Sequence, residues 1–144
     1  MFEHCGILHM LQLDGSYHLH QNHFAQRLKN IDLTGVPIES TNERFNKEQL
    51  NQYVPGLRSV AWLLQTRFDV ATYIQALQRA TKHATVSHLL RLSCVIEWCR
   101  CKLVHLTFVR LRTATLKVLN ISDAAFRRED VSGMAMRGAI IVFG

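Results

Sequence analysis

No stretch of this chain approaches the roughly eighteen uncharged apolar residues that a membrane-spanning helix needs, so the sequence predicts a soluble protein. The opening residues, MFEHCGILHMLQLDG, lack a basic start and carry Glu3 and His4 early, which is not the pattern of a secretory signal. The expected location is therefore a reducing, intracellular compartment, cytoplasmic or nuclear. The chain has no phosphate-binding glycine loop, no G-x-G-x-x-G, no nucleophile elbow and no H-E-x-x-H, so the usual cofactor enzymes and zinc hydrolases are not expected. Repeats and low-complexity tracts are also missing. Only two prolines interrupt 144 residues, and a 48% hydrophobic share against 19% charged is that of a globular chain.

Acidic residues are in short supply. Seventeen Lys and Arg face 11 Asp and Glu, a formal charge of +6, and this excess favours a polyanionic partner through counterion release. Much of it lies in Arg91, Arg100, Lys102, Arg110, Arg112, Lys117, Arg127 and Arg128, a span opposed only by Glu97 and Asp123. These eight residues form the candidate nucleic-acid face, and a solvated basic surface without a partner is the alternative.

Periodicity predicts an α+β chain. Gly6 to Leu13 and Ser16 to His20 read as a β-hairpin about a two-residue Asp14-Gly15 turn, and Gln21 to Lys29 as a short amphipathic helix. Residues 30–46 read as a polar connection over the surface. Three helices are expected next, the first over about Lys47 to Gln65 with Pro55-Gly56 interrupting it or marking its true start. Asp69 is expected to cap the second, whose stripe is Val70, Tyr73, Ile74 and Leu77. Thr85 is expected to cap the third, from Val86 to about Leu103, with Leu89, Leu90, Leu92, Val95, Ile96 and Trp98 on its apolar face. Beyond it the stretches LVHLTFVRL, TLKVLNISDA and MRGAIIVFG read as strands. Strands without a covering helix make a poor independent domain, so the C-terminal end is expected to belong to a larger sheet.

Two metal readings arise from the residues. Cys94, Cys101 and His105 fall at helical spacings of seven and four, but match no usual zinc framework, and helix cysteines of this kind are ordinarily structural. His18, His20 and His23 cluster without a cysteine or carboxylate to complete a site, and are more simply polar surface.

Three landmarks carry a family resemblance. Trp62, Leu63, Thr66, Arg67, Asp69, Ala71, Thr85 and His88 stand in the order of a Trp-Leu, Thr-Arg-Pro-Asp, capped-helix pattern. Gly6, Leu19, Gln21 and Phe24 match an upstream hairpin pattern, and Ser122, Asp123, Ala124 and Phe126 match a downstream Ser-Asp-Ala-Asp-[Trp/Phe] strand. Together they resemble the Pol polyprotein of copia-type retrotransposons, from the late reverse transcriptase region to the start of ribonuclease H. The resemblance implies reverse-transcriptase residues in 1–110, which grip primer and template, and the first strands of a truncated ribonuclease H-like sheet in 111–144. It implies RNA or DNA and the rest of the polyprotein as partners.

The same resemblance makes Asp123 the first ribonuclease H carboxylate and a magnesium ligand, once further carboxylates are supplied. Chemistry of that kind needs clustered carboxylates around two divalent ions about 4 Å apart. The sequence departs from the pattern at Arg58, Phe68, Ala84 and Ala125, and holds no Tyr-x-Asp-Asp polymerase motif. The expectation is a nucleic-acid-binding fragment without turnover of its own, or a small basic binding module derived from such an element. Taken alone, Asp69 and Arg67 read as a helix cap with a cation beside it, and Glu129 and Asp130 as loop charges.

Overall fold

The computed structural model describes residues 1–36, 41–110, 118–125 and 136–143, an α+β chain in two compact units, Met1–Phe108 and Val109–Gly144. In the first unit β1 (Phe2–His4), β2 (Ile7–Leu11), β3 (Tyr17–His20) and β4 (Leu106–Phe108) form an antiparallel sheet in that order. In the second, β5 (Val118–Ala125) pairs antiparallel with β6 (Met136–Phe143), with Asp123 opposite Gly138. Among its described residues LVHLTFVRL contributes the strand Leu106–Phe108, which joins the N-terminal sheet through Leu19 opposite Leu106. Among the described residues no helix is long and apolar enough to cross a membrane.

Both hairpin turns follow from local chemistry, and one differs from expectation. At Asp14-Gly15 the link is longer than two residues: Gly15 N–H donates to the Gln12 carbonyl at 3.0 Å and Gln12 N–H to the Ser16 carbonyl at 2.8 Å. With Gly15 at φ +81°, this is a three-residue loop closed by a left-handed glycine. Asp14 Oδ1 accepts the Ser16 N–H at 2.9 Å, which holds the loop, and the Ser16 side chain and then this N–H keep the Asp14 carboxyl below its ordinary pKa. The two-residue turn lies instead at Cys5-Gly6, where both residues have positive φ, +49° and +73°.

Four α-helices follow: α1 (Asn22–Ala25), α2 (Lys47–Trp62), α3 (Ala71–Ala80) and α4 (Val86–Cys101). The first is a single turn, far shorter than the span to Lys29. A capping box starts α2, with Gln49 N–H donating to Asn46 Oδ1 at 2.8 Å and Asn46 N–H to Gln49 Oε1 at 3.0 Å. Pro55-Gly56 neither breaks the helix nor begins it. Pro55 sits on the exposed side while Gln49, Tyr53, Leu57 and Val60 recur at helical spacing on the buried one, and that burial outweighs one lost backbone bond. Gly56 permits close approach, because a Cβ there would lie 3.2 Å from Ile31 Cδ1 and 3.3 Å from Leu92 Cδ2.

Helices α2, α3 and α4 pack on one another, and α1 packs on α4. Their core holds Tyr53, Leu57, Val60, Leu63, Ile74, Leu77, Leu89, Leu92 and Ile96. The Tyr53 hydroxyl donates to the Leu77 carbonyl at 2.8 Å, and burial pushes its pKa up to about 12. The connection over 30–46 is less superficial than its polarity implies: Ile31 is buried in this core, and Val36 and Phe45 pack against it. Two apolar residues depart from their expected burial. Tyr73 and Trp98 are 64% and 51% exposed, so neither belongs to the core stripe of its helix.

Arg67 joins these elements. Its side chain is 2% exposed, and its Nε and Nη2 donate to Asp69 Oδ1 and Oδ2, both at 2.8 Å. Nη1 donates to the Lys102 carbonyl at 2.7 Å and the Cys99 carbonyl at 3.3 Å, placing a cation at the C-terminal end of α4, where the helix dipole favours it. Next to it, the buried Thr66 hydroxyl donates to Gln21 Oε1 at 3.0 Å, which ties the segment to the end of β3. Asp69 is therefore not a helix cap. It lies in a 3-10 turn, Phe68–Val70, before α3, and both of its oxygens are taken by Arg67.

Two substitutions test these assignments. Asp69→Ala is expected to cost about 3–5 kcal/mol, because it strands a buried cation. Combined with Arg67→Met it should cost clearly less than the sum of the single changes, and additive urea-denaturation values would refute the pairing. Pro55→Ala restores a backbone donor to the Asn51 carbonyl, so it should stabilise by up to about 3 kcal/mol, read as a higher urea midpoint.

Candidate nucleic-acid interface

At 100° per residue, positions 91, 98 and 102 return to nearly the same side of a helix, whereas position 100 does not. The structure follows this arithmetic. Arg91 and Trp98 line a groove of about 750 Å³ between α3 and α4, and Lys102, just past the helix end, holds its Nζ 5.9 Å from the centre of the Trp98 ring. On the other side Arg100 bonds to Asn30 Oδ1 and lies 3.7 Å from Glu97. The candidate basic residues on α4 therefore split into a groove row and an opposite, partnered arginine. Arg110 is exposed. Arg112, Lys117, Arg127 and Arg128 lie outside the described residues, as do Glu129 and Asp130.

The groove is lined by apolar side chains, Val70 and Leu77 from the α3 side and Leu90 and Val95 from α4, together with the exposed rings of Tyr73 on α3 and Trp98 on α4. Among the described residues its one acid is Asp69. That carboxylate accepts two bonds from Arg67 and one from Trp98 Nε1 at 3.1 Å, and Arg67 beside it holds its pKa below the usual carboxylate range. The charge is therefore neutralised from behind the groove, while Arg91 and Lys102 remain at its rim. Phe68, 64% exposed, adds another aromatic surface next to Asp69.

His88, also on the groove, has a structural task. Thr85 stands at the N-cap of α4, its N–H donates to the His88 Nδ1 at 3.2 Å, and His88 N–H donates to the Thr85 carbonyl at 2.8 Å, so the His88 side chain reaches back to close the first turn. An accepting Nδ1 requires the neutral ring. Burial first, and then the Arg91 charge, push the His88 pKa down, in keeping with that role.

The metal readings gain no geometry. Helix α4 ends at Cys101, so His105 leaves the helical face it would have shared with Cys94 and Cys101, and its ring stacks on His18 at 4.5 Å between centroids. Cys99 is buried, Cys94 and Cys101 are exposed, and Cys101 Sγ donates to Glu97 at 3.1 Å. His23 lies 3.8 Å from Glu3. Among the described residues no three His, Cys, Asp or Glu side chains are grouped to hold a metal ion. Asp123 stands within β5, and a two-metal site needs several converging carboxylates, which one residue does not supply.

Trp98 and Tyr73 are the groove residues that apolar periodicity misses, since it assigns both to the core. The cations seven residues before Trp98 and four after it are the sequence signal that marks the ring as a surface feature.

Protonation provides a check on the cap and the ion pair. The folded-state pKa values of His88 and His20 lie below the ordinary 6.5, both chiefly through burial, so the unfolded chain takes up protons first as pH falls. Stability should be full above pH 6.5 and decline below it, with a further decline below 3.8 as Asp69 titrates. Thermal midpoints across pH should show both steps, and the double variant His20→Gln/His88→Gln should flatten the first.

No family model, curated protein or solved structure matches the chain.

Proposed function

We propose that this chain is a nucleic-acid-binding fragment of a copia-type retroelement polyprotein. Residues 1–110 come from the end of the reverse-transcriptase region and residues 111–144 from the start of a ribonuclease H-like sheet. It holds primer–template or an RNA/DNA hybrid through its phosphates and turns over neither on its own. The observation that carries the binding reading is the row of Arg91, Trp98 and Lys102 beside a neutralised Asp69. A groove edge with two cations and no competing free carboxylate favours a polyanion, and such contacts position a backbone without reading its sequence. Three motif landmarks in family order support the ancestry. Magnesium belongs to the intact parent; Asp123 would be one of its ligands there, and the other carboxylates would have to come from elsewhere.

The self-contained core of Met1–Phe108 favours a second reading, a small basic nucleic-acid- or protein-binding module derived from such an element.

Fluorescence anisotropy with labelled duplex, hybrid and single strands tests the proposal. Binding should weaken steeply with salt, and Arg91→Ala or Lys102→Ala should each reduce the slope of log K against log salt by about one. Primer-extension and hybrid-cleavage assays with magnesium should show no turnover. Clear cleavage abolished by Asp123→Asn would sink the inactive-fragment reading, and salt-independent binding would sink the nucleic-acid one.

A further inference from the structure

We infer that the groove between α3 and α4 is a stacking site for unpaired nucleotides, with bases against the rings of Trp98 and Tyr73 and phosphates on Arg91 and Lys102. This rests on the nucleic-acid reading above and names the strand state that the groove takes. Both rings are more than half exposed on a domain that buries Tyr53 completely, and both line one groove together with the apolar side chains of Val70, Leu77 and Val95. An exposed ring presents a face on which any base stacks, and alternating aromatics with cations is how sequence-tolerant single-strand grooves are built. The Trp98 Nε1 bond to Asp69 fixes the indole by its edge and leaves the face turned away from Lys102 for a base.

Charge selects this occupant over an amphipathic protein helix. Among the described residues the groove's only carboxylate is engaged by Arg67, so what remains there at the edge is positive, which suits a phosphate chain passing over stacked bases. A duplex shields its base faces within its own stack and would leave both aromatic rings in water.

The test uses the full chain carrying Trp62→Phe, so that Trp98 is the only tryptophan. Oligo-dT and oligo-rU should quench its emission. An abasic oligomer of equal length and charge should bind about tenfold more weakly, and a duplex should leave the emission unchanged. Tyr73→Ala should weaken single-strand binding about tenfold. Trp98→Ala also removes a bond to Asp69, so Trp98→Phe serves as its control and should retain most of the binding. Equal affinity for the abasic oligomer overturns the stacking site while leaving phosphate binding intact, and failure to bind any nucleic acid at low salt overturns the parent reading as well. Quenching by an amphipathic helical peptide, with none by oligonucleotides, overturns the inference in favour of protein docking.

Discussion

A guanidinium with 2% of its side chain exposed has to be surrounded by acceptors, and the helical part of this chain is arranged around that requirement. Arg67 cannot give up its proton, so burial is tolerable only because Asp69 takes two of its donors and the last carbonyls of α4 take the third. One side chain thereby fixes where α3 begins and where α4 ends. Thr66 extends the same junction to Gln21 at the end of β3, so the sheet and the helices meet at two consecutive residues. A lysine would supply charge there but not the fork, and the three-way geometry would be lost.

The burial of this pair also shapes the groove. Asp69 would otherwise set a free negative charge beside Trp98 and repel a phosphate chain. Because Arg67 approaches from the core side, the carboxylate is neutralised without a cation being drawn from the rim, and Arg91 and Lys102 keep their positions there. Stability and surface chemistry thus have one origin.

The parts of the fold that follow from local chemistry could be read from the sequence, and those that depend on packing could not. Thr85 caps α4, and the helix from Lys47 ends within three residues of its expected limit, because polar capping and apolar spacing are short-range effects. Pro55 misleads because its penalty is local while its compensation is the burial of residues a turn away on either side. Asp69 misleads for the opposite reason: an aspartate before an apolar run is a good cap, but the buried arginine two residues earlier is a better partner. Nothing short-range says that Arg67 is buried. Tyr73 and Trp98 have the spacing of core residues, and only the direction in which the neighbouring helix packs leaves them outside.

That last ambiguity has a physical consequence for the site. Large apolar rings left in water carry an unfavourable hydration cost, and a domain with this much core could have closed α3 against α4 over them. Closure is prevented from beneath. Asp69 holds the Trp98 indole nitrogen, and Arg67 holds both Asp69 and the end of α4, so turning Trp98 inward would break its bond to a carboxylate that is itself anchored on a buried cation. The Trp98 ring is thus held by its edge. On the nucleic-acid reading proposed above, a base stacked there would gain the burial of that ring without the cost of ordering it, and this preorganisation would separate the groove from a surface that merely happens to be basic.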